Sequence, residues 1–210
     1  MSMGLTNISA AEVVNNLSEQ KLKSIIKILG EEKDASRIAK NIVKTRLSKK
    51  ITKVNQLVEI IKKSKRRSFA DRINPSTKTF QALRMFVNKE VSELIEGIIN
   101  ATKVLKPGGK ILIISFHSIE DKIVKYFFSN FSSNRSKPSR YFPENNKEDN
   151  FSLFDKYKNK VFKPSNREII KNYSSRSAKL RYAIRSKSDF FYPKGLINKF
   201  KIYLDLESKN

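Results

Sequence analysis

Ser115, His117 and Ser118 fall within four positions of one another in "IISFHSIED", where an apolar run stops abruptly. His117 is the single histidine of the 210 residues. An imidazole has an ordinary pKa of about 6.5, so it can take up or release a proton near neutral pH. The same side chains could equally do no more than hydrogen-bond the peptide groups of a turn, so a chemical and a structural reading both stand. The chain has no cysteine, which removes disulfides and thiolate ligands, and one histidine gives no expectation of a conventional zinc site.

A second set of residues is cationic. Lysine and arginine number 44 against 20 acids, a formal net charge of +24. Such an excess repels itself unless a polyanion or salt compensates it, and nucleic acid is the natural partner because neutralised phosphates release counterions. The competing reading is compositional drift toward lysine. Candidate phosphate and RNA contacts are Arg72, Asn74, Lys78, Gln81, Arg84, Arg176, Lys179 and Arg181. Of these, Lys78, Gln81 and Arg84 recur on roughly one side of a helix. The run 62–67 is basic and reads as an exposed loop, and Arg140, Tyr141 and Phe142 could either stack bases or anchor a loop.

The elements that must position these residues follow from periodicity. Ser9, Ser18, Asp34 and Thr52 are placed to cap amphipathic helices over 10–17, 19–29, 35–48 and 53–63, which should pack as a small bundle. Asn74–Pro75 reads as a helix start, and 77–105 as one long helix or two joined near Asn88. Pro107–Gly109 breaks that helix. The nearly all-apolar 110–116 reads as a strand covered on both faces, in a parallel sheet. Ser118 is placed to cap the next helix, with Glu120 and Asp121 in its first turn. Helix, glycine turn, strand, helix indicates the α/β class, whose ligands bind outside the carboxyl ends of strands. Residues 129–160 read as a long loop, 161–162 as the end of a short strand, and 179–185 as an antiparallel strand; the tail from Asp189 has no assignment. No apolar run approaches a membrane span and residues 1–10 lack a signal-peptide pattern, so a soluble cytoplasmic protein is expected.

Three blocks, "NPSTKTFQALRMFVNKEV", "LKPGGKILIISFHSIEDKIVKYFF" and "NYSSRSAKLRYAIR", resemble in order the blocks of the RsmH (MraW) family. "GEEKDASRIAKNIVKTR" resembles that family's helical insertion. The resemblance implies a methyltransferase that moves a methyl group from S-adenosylmethionine to N4 of a cytidine in the decoding region of 16S rRNA, with the small ribosomal subunit as partner. It implies the carboxyl-terminal part of a Rossmann-like sheet plus an all-helical insertion domain. Residues 1–70 would be the substrate-recognition insertion, 71–187 the carboxyl-terminal part of the methyltransferase domain, and 188–210 a tail. Ser115, His117 and Ser118 would be the catalytic residues lining the target-base pocket, with His117 accepting a proton from the cytidine amine. Three positions depart from the family pattern: Asn74 stands where histidine is more usual, and Tyr173–Ser174 replace a Pro-Arg pair.

The resemblance also places the family's methyl-donor loop before the region where this chain begins. The one glycine pair, Gly108–Gly109, precedes a strand, whereas a donor loop must follow one. The cofactor site is therefore expected largely outside this chain, which would be a fragment inactive alone. The alternative is a basic RNA-binding module without catalysis.

Overall fold

The computed structural model describes residues 8–65, 74–134 and 152–208. Among them are nine α-helices, one 3-10 turn and two strands, so the chain is mostly helical with a two-stranded sheet. It forms two compact units: residues 1–93 with 202–210, and residues 94–201. No helix of the described residues is long and apolar enough to cross a membrane.

The first unit is helical. α1 (Ala10–Asn16) starts at Ser9, whose hydroxyl accepts from the Glu12 N–H while the Glu12 carboxylate accepts from the Ser9 N–H, a reciprocal capping box. α2 (Glu19–Ile28) is capped by Ser18. α3 (Ala35–Ser48) begins at Asp34, whose carboxylate takes no backbone donor and instead pairs with Arg37. α4 (Val54–Ser64) begins one residue later than periodicity indicates. Lys53 occupies the cap position, and Gln56 accepts from the N–H groups of Thr52 and Lys53, so Thr52 is not the cap. Leu22, Ile25, Ile26, Ile38, Ile42 and Ile61 are fully buried between α2, α3 and α4.

α5 (Thr77–Asn88) packs on α1 and α2. Gly30 makes that approach possible, because a Cβ there would lie 2.6 Å from the Ile26 carbonyl and 2.7 Å from that of Lys78. α5 and α6 (Glu90–Val104) are separate helices, broken at Lys89, which adopts the left-handed region at φ 50°. α6 passes from the first unit into the second.

In the second unit, Gly108 turns at φ 78° and donates to the Arg185 carbonyl, which brings the chain into β1 (Lys110–Ser115). β1 pairs antiparallel with β2 (Lys179–Ile184), in the register Lys110 opposite Ile184 to Ser115 opposite Lys179. Ile111, Ser115, Arg181 and Ala183 face inward and are buried, and α7 (Ser118–Asn130) packs against both strands. The opposite face is open: Leu112 and Ile114 are 60% and 59% exposed. β1 is thus covered on one face, not two, and among the described residues it has no parallel partner. Its apolar sequence fits burial on both sides, but the described elements supply one covering layer.

The region read as a loop over 129–160 is partly core. Leu153 and Phe154 are fully buried, and the Phe154 ring stands edge-on to Phe127 and Phe128 at 5.2 Å from each. Phe162 exchanges two backbone hydrogen bonds with Leu180 on the outer edge of β2. α8 (Asn166–Lys171) and a 3-10 turn (Tyr173–Ser177) lead into β2. α9 (Lys194–Ser208) kinks at Phe200 and ends in the first unit. There Glu207, 1% exposed, accepts hydrogen bonds from the N–H groups of Val91 and Ser92 at the start of α6.

Candidate functional site

A cleft of about 320 Å³ opens at the carboxyl end of β1. Its walls come from three stretches: Phe116, His117 and Ser118 after the strand; Lys163 before α8; and residues 176–179 from the 3-10 turn into β2. Three cations, Lys163, Arg176 and Lys179, face it, and no carboxylate is among its lining residues. Phe116 adds an aromatic ring that is 55% exposed.

Local chemistry explains the floor of this cleft. His117, not Ser118, is the N-cap of α7. Its Nδ1 accepts from the Glu120 N–H at 3.4 Å, and Nε2 lies 3.2 Å from Glu120 Oε1. The Glu120 carboxylate accepts from the Phe116 N–H at 2.8 Å and the His117 N–H at 3.3 Å. Burial pushes the Glu120 carboxyl up, but its hydrogen bonds from His117 and Phe116 outweigh that and hold it below the ordinary value. The histidine is therefore bound into the turn through Glu120.

Beside it, Asp121 receives Lys179 Nζ at 3.0 Å and Arg181 Nε at 2.7 Å. Burial raises the Asp121 carboxyl, and hydrogen bonds from Arg181 and Lys179 overcome this and lower it. Arg181 is 4% exposed and also donates to the Tyr157 hydroxyl and Asn159. Burial favours loss of its proton, and the bonds to Asp121 and Tyr157 reverse this, so the guanidinium is held charged.

The residues selected from sequence fall into several groups. His117, Ser118, Arg176 and Lys179 come together at the cleft. Ser115 is 2% exposed and donates to the Lys179 carbonyl, within the strand pairing and away from the cleft lining. Arg181 is occupied beneath the sheet. Arg176 lies over the Tyr173 ring at 4.3 Å. Asn74, Lys78, Gln81 and Arg84 belong to the first unit. There the side-chain carbonyl oxygen of Asn74 accepts from Ser76, which supports the helix-start reading. Lys78 donates to the Glu31 carbonyl, Gln81 lies against Met85 Sδ at 3.8 Å, and Arg84 forks onto Glu90 at 2.7 and 3.0 Å. Arg72 lies outside the described residues, as do Arg140, Tyr141 and Phe142.

Lys163 and Phe116 escaped the sequence reading. Lys163 sits in an aperiodic stretch, where the following Pro164–Ser165 helix start is the one available signal. Phe116 reads as the last apolar residue of a strand.

Comparison with known proteins matches residues 1–186 to the MraW methylase family. The ribosomal RNA small subunit methyltransferase H of Bartonella bacilliformis is 45% identical over 191 residues, covering 90% of this chain and 56% of that protein. Its counterpart in Ehrlichia chaffeensis is 40% identical over 185 residues, covering 88% of this chain and 59% of that protein. The chain thus spans somewhat more than half the length of these relatives.

Proposed function

The chain belongs to the MraW methylase family, and on that premise we propose that it is the RNA-facing part of a small-subunit rRNA methyltransferase. The complete enzyme would transfer a methyl group from S-adenosylmethionine to N4 of a cytidine in 16S rRNA, in the cytoplasm. β1 and β2 would be the last strands of a Rossmann-like sheet within residues 71–187, with 1–70 as a substrate-recognition insertion.

The observation that carries this reading is the cleft beyond β1. Three cations around an exposed aromatic ring suit a nucleotide, whose phosphate is anionic and whose base has a face to stack. The chemistry asks for orientation above all. A cytosine N4 lone pair is delocalised into the ring, so the amine must be held at a fixed angle and its hydrogens accepted. Lys163, Arg176 and Lys179 would hold the phosphates, Phe116 would face the base, and the Ser118 hydroxyl would accept an amine hydrogen. His117 serves in this reading through the turn it holds with Glu120. Ser115 serves by closing β1 onto β2, and Arg181 by fixing Asp121 and through it Lys179. Asn74, Lys78, Gln81 and Arg84 would form a second RNA-contacting stretch on the first unit, and Arg72 is a further candidate on sequence alone.

The methyl donor does not fit these residues. A ribose diol calls for a carboxylate and a donor loop for glycine amides after a strand, whereas this cleft presents cations and the glycine turn at Gly108–Gly109 lies before the opposite end of β1. Donor binding is accordingly assigned to the portion of the relatives that this chain does not span.

The test is a methyl-transfer assay on small-subunit rRNA. The chain alone should bind RNA without transfer. The chain fused behind the unmatched part of the Bartonella bacilliformis relative should methylate cytidine. Transfer by the chain alone would overturn the division of labour. A fused protein that binds RNA yet never methylates it would favour a basic RNA-binding module.

A further inference from the structure

The charge of the first unit is unevenly spread. Residues 35–58 hold seven lysines and arginines and no acid, whereas residues 8–34 hold four lysines and five acids. Compositional drift toward lysine acts along the whole chain and would not empty one stretch of acids. On α3, Arg37, Lys40 and Lys44 are exposed and recur at i, i+3 and i+7, so they share one face over about 10 Å. Lys49 and Lys50, also exposed, follow the helix. Asp34 pairs with Arg37, and Glu32, Glu59 and Glu90 pair with cations outside α3. Among the described residues no carboxylate pairs with Lys40, Lys44, Lys49 or Lys50. Lys40 and Lys44, four residues apart, repel each other and weaken their helix. The face is nevertheless held firmly from behind. Ile38, Ala39 and Ile42 are fully buried, Asn41 donates to the Ser64 hydroxyl on α4, and Arg46 donates to the Val14 carbonyl on α1.

We propose that this face of α3, with the two lysines that follow it, docks on the phosphate backbone of a base-paired RNA segment. The inference rests on the reading of the chain as the RNA-facing part of an rRNA enzyme, and deepens it by naming the kind of RNA. A fixed row of cations that repel one another, with no acid among them, calls for a dense polyanion. The choice of a duplex over a single strand follows from the side chains on offer. Unpaired bases are held by stacking on aromatic rings, and residues 35–58 include no aromatic. Phe116 supplies such a ring at the cleft, where an unpaired nucleotide is read. A paired RNA helix instead presents phosphates and 2′-hydroxyls at fixed spacing and is recognised by shape. A rigid row of lysines suits that rigid row of phosphates. The substrate therefore carries a duplex for α3 as well as an unpaired nucleotide for the cleft.

The test is binding of the full chain, over a salt series, to an RNA duplex of about 16 base pairs and to an unstructured single strand of the same length. Lys40→Ala with Lys44→Ala should flatten the log–log slope for the duplex by about 1.8, and that for the single strand by less than half as much. Lys23→Ala with Lys27→Ala removes the same charge from exposed positions of α2, where Glu19 stands one turn before Lys23. That pair should change the duplex slope by less than half as much as the α3 pair. Both pairs change exposed positions, so their melting temperatures should match the parent's. A duplex slope indifferent to the α3 pair, an equal loss on the two RNAs, or an α2 pair as costly as the α3 pair would each overturn the inference. Methyl transfer by the fusion described above reads the other proposal independently. A fusion that methylates while the α3 pair leaves duplex binding intact sinks the α3 face alone. A chain whose duplex binding needs the α3 pair, but whose fusion never methylates, sinks the methyltransferase reading alone.

Discussion

Asp121 is the acid on which the packing beside the cleft turns. It neutralises Arg181, which is 4% exposed, and it draws in Lys179, which lines the cleft. Asp121→Ala leaves a buried guanidinium without its carboxylate and should cost about 3–5 kcal/mol in urea unfolding. Because its folded pKa is lowered from 3.8, Asp121 contributes stability that is present above that value and disappears as the pH falls through the folded one. Glu207 has the opposite sign. Burial raises its carboxyl above 4.5, and hydrogen bonds from Ser92 and Val91 recover only part of the cost. Its contribution is complete below pH 4.5 and declines as the pH rises through the folded value. Glu207→Gln should therefore gain stability relative to the parent between pH 4.5 and pH 7, measured by unfolding at both. A difference that shrinks over that interval would refute the assignment.

At the scale of elements, two junctions decide geometry. The N-terminus of α7 is set by the reciprocal bonding of His117 and Glu120. His117→Ala removes the cap acceptor and should cost about 1 kcal/mol, while His117→Asn, which can cap, should recover most of it. If the completed enzyme regains turnover with asparagine, the histidine works by position; if turnover is lost in both variants with stability restored in one, the ring itself takes part. The other junction is Gly30, where α2 gives way and α5 crosses. A methyl group there meets two carbonyl oxygens at under 3 Å. Both oxygens are backbone, so relief requires moving a helix, and Gly30→Ala should destabilise by about 1–3 kcal/mol in thermal or urea unfolding.

For the whole molecule, the excess charge predicts RNA affinity that falls steeply with salt. Every phosphate that a variant ceases to neutralise, on single-stranded or duplex RNA, should flatten the log–log slope by about 0.7–0.9. Lys163→Ala with Arg176→Ala removes two cations that face the cleft, so the slope should fall by about 1.4–1.8. Lys78→Ala with Arg84→Ala should change it less, because Arg84 already forks onto Glu90 and Lys78 onto a backbone carbonyl. Filter-binding titrations over a salt series separate the two pairs. An equal flattening by both pairs would place the first unit's helix against phosphate as fully as the cleft.

Local chemistry was enough to read most elements from the sequence. Ser9 and Ser18 mark their helices because a cap hydroxyl bonds within its own first turn, whereas 77–105 keeps one apolar period and leaves open whether it is one helix or two; the left-handed backbone of Lys89 decides for two. β1 is legible as a short apolar run after a glycine turn and β2 as an alternating run, because both signals act over a few residues. The tertiary structure decided what depends on residues distant in the chain. Whether the apolar face of β1 is covered depends on which layers are present, so Leu112 and Ile114 read as core and stand exposed. Phe154 reads as loop and lies in the core, because its partners are twenty-six and twenty-seven residues away on α7. The cations separate in the same way. Arg176, Lys179 and Arg181 look alike in "RSAKLR", yet Lys179 and Arg181 share one side of β2 and both bond Asp121, with Arg181 buried and Lys179 at the strand end open to the cleft, while Arg176 lies in the turn before the strand. Strand alternation sets which side a residue faces; only the packing of α7 settles which side is buried.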